Sequence, residues 1–200
     1  MIASRNPALG PVAGQTDRAA TGVTTLDAPK NAPEWTETLR DGSHVTIRML
    51  HKDDAVLERS FIDRLSPESR RMRFLGQIGD SDEAFFEKLT DLDYRHDMAF
   101  VALAEQDGVT SEIGVSRYAL SADGKSCECA VTVSDEWQGK GLGTLLMRHL
   151  IDIARERGIR TMISLDSAEN WRMHELARDL GFSRGPDPDD PSQVIHRLTL

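Results

Sequence analysis

The sequence predicts a mixed α/β domain: a mostly antiparallel sheet of six to seven strands with helices on both faces. Three observations carry this. Short segments such as CECAVTV at 127–133 alternate with period two. A long segment, about 141–157, places its apolar residues at helical spacing. The segments follow one another as ββααα-βββ-α-β-α-β, without an internal repeat.

Each element has a local reason. Trp35–Arg40 and His44–Arg48 read as strands joined by Asp41-Gly42, a strong hairpin signal. Asp53 is expected to cap a helix running to about Leu65, with Ala55, Val56, Phe61, Ile62 and Leu65 on its apolar side. Ser66-Pro67-Glu68 opens a second helix, with proline at the first helical position. Ser81-Asp82 opens a third, facing Phe85, Phe86 and Leu89 inward. Met98–Glu105, Ile113–Leu120 and Ser126–Ser134 are strands, the first two joined at Asp107-Gly108. In the third, Glu128, Ala130 and Thr132 share one face, and Cys127, Cys129, Val131 and Val133 share the other. The helix at 141–157 carries Leu142, Leu145, Leu146, His149, Leu150, Ile153 and Ala154 on its stripe and stops at Gly158. Thr161–Leu165 is a strand and Arg172–Leu180 a helix ending at Gly181; a Pro/Asp-rich loop over Gly185–Ser192 leads to a last strand, Val194–Thr199.

Composition narrows the function. The chain has 200 residues, long enough for a full core without disulfide or metal staples. Residues 1–33, rich in Ala, Pro, Gly and Thr, read as a flexible tail, and 34–200 as one domain. The longest apolar run, Met98–Ala104, is far short of the ~20 residues of a membrane span, so no membrane role is expected. The net charge is −9 and the tail is slightly basic, so the acidic excess lies in the domain. Without a basic patch, nucleic acid is not an expected partner. An acidic surface suits a cationic one, or serves only solubility. Two cysteines, at i and i+2, fit a reducing cytoplasm.

The informative stretch is Trp137-Gln138-Gly139-Lys140-Gly141-Leu142-Gly143-Thr144, between strand and long helix. Three glycines in five residues cost helix stability unless backbone N–H groups must approach something closely. A helix mouth offers unpaired donors and about half a positive charge, which together bind phosphate. Lys140 is expected to add a point charge. The spacing is neither a Walker A loop nor a dinucleotide fingerprint. It reads Q-x-x-G-x-G.

That pattern resembles the acyl-CoA pyrophosphate loop of the GNAT N-acetyltransferases, as do the later Asn170 and Leu180-Gly181-Phe182. RDGSHVTIR, DRLSPESRRMRF and CECAVTVSDEWQGKGLGTLLMRHL are similar to the catalytic domain of bacterial Pat-type protein lysine acetyltransferases. The resemblance implies acetyl-CoA as co-substrate, with no metal. Val131 and Val133 would offer backbone groups to pantetheine where two strands splay. Gln138, Gly139, Lys140, Gly141, Leu142, Gly143 and Thr144 would wrap the pyrophosphate. Asn170 would bond the pantetheine arm, or serve as a helix cap. Arg172 and Met173 are expected near the cofactor. The acceptor would be a protein lysine, on a target such as an acyl-CoA synthetase, or else a small amine. A homodimer is compatible with it.

Attack on a thioester needs a neutral amine, whereas lysine titrates near ~10.4. Glu128, an acid among Cys, Ala, Val and Thr, is the candidate general base, its carboxyl raised by burial. It also falls where Pat-type enzymes place a glutamate. The tyrosine with which many relatives protonate the leaving thiolate is replaced by Ala177; Tyr94 and Tyr118 lie elsewhere, and Ser164 and Ser167 are weak substitutes. This departure also motivates another reading, a non-catalytic acyl-CoA sensor. Cys127 and Cys129 are turned from Glu128 and read as core rather than as acyl carriers. Trp35, Trp137 and Trp171 read as packing anchors, and His149 as core or rim. His174-Glu175 lacks the second histidine of a zinc motif.

Overall fold

The computed structural model describes residues 32–75, 83–106 and 108–200. The tail through residue 31, the Ser81-Asp82 helix start and Asp107 of the turn lie outside the described residues.

Among the described residues the strands form one eight-stranded sheet. Its strands are β1 (Glu34–Thr38), β2 (His44–Met49), β3 (Asp97–Gln106), β4 (Val109–Leu120), β5 (Ser126–Val133), β6 (Thr161–Ser167), β7 (Ser183–Pro186) and β8 (Gln193–Thr199). Their spatial order is β1-β2-β3-β4-β5-β6-β8-β7. All neighbours run antiparallel except β5 and β6. The expected class holds. The extra strand is β7, where Ser-Arg-Gly-Pro has no alternation of its own and is extended by pairing with β8.

Among the described residues five α-helices cover the faces: α1 (Ala55–Arg64), α2 (Pro67–Phe74), α3 (Glu83–Thr90), α4 (Leu142–Glu156) and α5 (Trp171–Asp179). Neighbouring residues of β4 show the two layers. Gly114 faces α4, and a Cβ there would meet Leu146 Cδ1 and the Thr132 carbonyl at 3.1 Å. Val115 faces the other way, into the cluster of Phe61, Ile62, Leu65, Phe74, Phe86 and Leu89. In α4 the buried face includes Met147 and Ile151, wider than the expected stripe. His149 sits at its rim, stacked on Trp35 at 4.0 Å and bonded to Glu37 Oε1 at 3.0 Å.

The first helix departs from expectation. A 3₁₀ turn over Lys52–Asp54 precedes it, and Asp54, not Asp53, is its N-cap residue. Val56 is 79% exposed, and Glu58 is buried in its stead. The cause is long-range pairing. Arg48 grips Asp54 with two bonds of 2.7 and 2.8 Å, and Arg117 of β4 holds Glu58 at 2.9 Å. These two ion pairs fix which side of α1 faces the sheet. The second helix starts as expected: Ser66 Oγ accepts from Ser69 N, with Pro67 next.

Candidate active site

The parallel seam is short. β5 and β6 pair at Ser126–Thr161, Cys127–Met162 and Glu128–Ile163, and no further. Yet β5 runs on to Val133 and β6 to Ser167. Beyond Glu128 the strands part, and a cleft of about 410 Å³ opens there. Its walls come from α2, the parted strands, the glycine loop and the start of α5.

Most residues expected at the site line this one cleft: Glu128, Val131, Val133, Gln138, Gly139, Gly141, Leu142, Gly143, Thr144 and Asn170. Lys140 does not. Its ammonium pairs with Asp41 at 3.0 Å, lies 4.5 Å over the Trp137 ring, and borders a separate recess. The loop turns it away because Gly139 and Gly141, at φ 76° and 93°, are both left-handed. Among the described residues the cations lining the cleft are Arg172, expected there like Met173, and Arg40 and Arg73, which spacing could not reveal. Arg40 lies against the loop: its amide donates to the Lys140 carbonyl at 3.0 Å, and a Cβ on Gly141 would stand 3.4 Å from its Nε.

The mouth of α4 fits a diphosphate. Gly141 is its N-cap residue and no side chain caps it, so first-turn N–H groups remain available to an anion. Gln138 braces this loop. Its Nε2 donates to the Val133 carbonyl at 3.1 Å and to Ser69 Oγ at 3.3 Å, and its Oε1 accepts from Arg172 at 2.8 Å. At α5, Asn170 Oδ1 accepts from Met173 N at 3.2 Å. The cap is therefore made, and the amide NH₂ remains as a donor beside the cleft.

Glu128 stands at the last paired position of the seam, partly buried. It lies within electrostatic reach of Arg73. Burial first, and Arg117 second, lower the Arg73 pKa to about 10, against the opposing pull of Glu58, Glu128 and Asp166. Cys129 also reaches the cleft wall. Its thiol is pushed well up by burial, and Cys127 is raised to about 12 by burial and the charge of Glu128. Both sulfurs stay protonated at neutral pH, poor nucleophiles for an acyl-enzyme. Trp137 is buried as expected, but Trp171 is not: it is 58% exposed at the cleft edge, with Arg172 5.2 Å over its ring. Tyr118 and Tyr94 bond Arg157 and the Leu50 carbonyl, away from the cleft.

A sheet parted at its parallel seam, facing an uncapped helix mouth, defines a coenzyme A-dependent acyltransferase class. Comparison with known proteins agrees. The model of the acetyltransferase (GNAT) family matches residues 62–182. An acetyltransferase of Pseudomonas aeruginosa, PA5475, is 53% identical over 166 residues, 83% of this chain and 89% of that one. The GNAT domain of Streptomyces lividans PAT superposes with a TM-score of 0.74 at 26% identity, covering 84% of this chain and 97% of that one. A cAMP-binding acyltransferase from Mycobacterium smegmatis shares the fold, with a TM-score of 0.58 at 21% identity; the match covers 84% of this chain and 47% of that one. The chain belongs to the GNAT family. It is an acyl-CoA-dependent N-acetyltransferase, with acetyl-CoA as the co-substrate the fold implies.

Proposed function

We propose that the chain moves the acetyl group of acetyl-CoA directly onto a protein lysine, in a ternary complex with Glu128 as general base. The carrying observation is the place of Glu128, at the point where β5 and β6 part and inside the same cleft as the glycine loop. The diphosphate lies on the N–H groups at the mouth of α4, with Arg40 and Arg172 nearby. Pantetheine runs along the open edge of β5 at Val131 and Val133, with Asn170 as a side-chain donor. The amine nitrogen bonds to the thioester carbon and gives a proton to Glu128, directly or through one water, while the carbon–sulfur bond breaks and its electron pair leaves on the coenzyme A sulfur. The protonated thiols of Cys127 and Cys129 support direct transfer over an acyl-enzyme.

A lysine acceptor is supported by the likeness to the GNAT domain of S. lividans PAT. It is supported too by Glu68, Glu169, Glu175 and Asp179 on the cleft wall, which attract a cation. An acyl-CoA synthetase is a suitable class of target, and the cytoplasm a suitable place. Two measurements test the reading. Glu128→Gln lowers kcat at neutral pH by roughly 100-fold or more, with acetyl-CoA affinity kept; full kcat overturns the base. Labelled acetyl-CoA with cell lysate puts label in protein; label only in small molecules makes the acceptor a small amine. No label anywhere makes the chain a sensor.

A further inference from the structure

A largely buried hydrogen-bonded chain runs from the cleft wall to the loop that precedes α5. Ser164 Oγ donates to Asp166 Oδ2. Asp166 Oδ2 meets His196 Nδ1 at 2.9 Å. His196 Nε2 meets His174 Nδ1 at 3.1 Å, and His174 Nε2 meets the Ala168 carbonyl at 3.1 Å. Ser164 and Asp166 line the cleft; His196 is 1% exposed and Asp166 13%. Ser164, Asp166 and His196 come from the facing strands β6 and β8, where Ser164 pairs with His196. His174 reaches down from α5.

The protons can be counted. Three contacts involve the rings: carbonyl to His174, His174 to His196, and His196 to Asp166. Each needs one hydrogen between its two heavy atoms. The Ala168 carbonyl cannot supply one, and two neutral imidazoles carry only two in total. The third must be present as an imidazolium or as a protonated Asp166. This holds for any choice of tautomers. Losing that proton sets two lone pairs face to face in a buried place, a costly arrangement.

We infer that Ser164, Asp166, His196 and His174 form a proton store that serves the cleft and returns a proton to the sulfur leaving acetyl-CoA. The inference rests on the proposed direct transfer. When the carbon–sulfur bond breaks, its electron pair goes to sulfur. The stored proton moves to that sulfur from the cleft-lining end, Asp166 or Ser164. The amine's proton goes to Glu128 and thence to solvent, and solvent reloads the store as products leave. His196 and His174 act through Asp166 and are positioning residues. Groups facing Asp166 are Arg73 from α2 and Cys129 from β5; Glu128 shares the cleft, nearer the paired seam. Arg73 balances part of the negative charge left on Asp166 when the proton departs.

The test pairs spectroscopy with kinetics. In ¹⁵N and ¹³C spectra of the ligand-free protein near neutral pH, either three of the four ring nitrogens of His174 and His196 carry hydrogen, or two do and the Asp166 carboxyl is protonated; two with an ionised Asp166 overturns the store. His196→Gln lowers kcat by roughly 100-fold, the low end for proton transfer, with KM for acetyl-CoA unchanged and the alkaline limb of the kcat profile moved to lower pH. His174→Gln, on the helix, does the same more weakly and serves if the first variant unfolds. A profile that superposes on the parent's overturns the inference. The parallel Glu128→Gln variant separates failures. If it alone loses kcat, the base stands and the store falls. If it keeps kcat while the histidine variants move the alkaline limb, the store stands and the base falls.

Discussion

The two edges of β5 differ. Toward β4 it is paired at every residue from Cys127, opposite Leu120, to Val133, opposite Gly114. Toward β6 it is paired over three residues and then open. The same strand is scaffold on one side and binding edge on the other. Behind the closed edge lie buried charges that hold α1 to the sheet. At the open edge lie the cleft and its polar side chains. Substitutions at the closed edge should therefore read in stability, and those at the open edge in turnover or affinity.

The largest expected effect is at the closed edge. Arg117, opposite Ala130, is buried against Glu58, with its Nη1 donating to the Leu89 carbonyl at 3.0 Å and Glu112 close by. Arg117→Met strands the buried Glu58 without its cation and should cost about 3–5 kcal/mol, lowering Tm by roughly 10 °C. Activity per folded molecule should hold; lost turnover with an unchanged Tm breaks the contrast.

Glu112 gives the same edge a pH signature. Burial, then the charge of Glu58, holds its carboxyl well above the usual range. The folded state keeps a proton that the unfolded chain releases. Stability from this group is therefore full below the ordinary carboxylate pKa and falls as pH rises through the raised one. Glu112→Gln should flatten that part of the Tm–pH curve, followed by thermal melts from roughly pH 4 to pH 8. An unchanged slope sinks the assignment.

At the open edge, Asn170 separates its two roles. Asn170→Ala loses the cap and should cost about 1 kcal/mol. Asn170→Asp keeps the cap but not the NH₂. Calorimetry should then show weaker acetyl-CoA binding, by roughly tenfold for one lost hydrogen bond, at unchanged Tm. Equal binding leaves Asn170 a cap alone. The smallest effect belongs to Lys140. Because its partner is the exposed Asp41, Lys140→Ala should change acetyl-CoA affinity less than Arg172→Ala does, and stability by under about 1 kcal/mol.

Local pattern made much of this visible in the sequence. The alternation in CECAVTV set the faces of β5, and the three glycines marked the mouth of α4. What stayed hidden depends on partners distant in the chain. Glu58 is buried only because Arg117, 59 residues on, meets it. Arg73 and Met72 enter the cleft because Ser66 and Ser69 bond Asp135, pinning α2 beside β5. The proton chain joins β6, α5 and β8, whose histidines are 22 residues apart. Periodicity cannot register such meetings. Lys140 misled for a related reason: its direction is set by left-handed glycines on both sides, and a charge count carries no direction.

Gln138 has a consequence for timing. One amide ties the ends of three elements, α2, β5 and α5, before any ligand arrives. Docking then has little chain left to freeze, which favours rapid capture of the nucleotide end. A frame already set also holds departing coenzyme A no more tightly than arriving acetyl-CoA, so the two differ in residence through the acetyl group that one has lost.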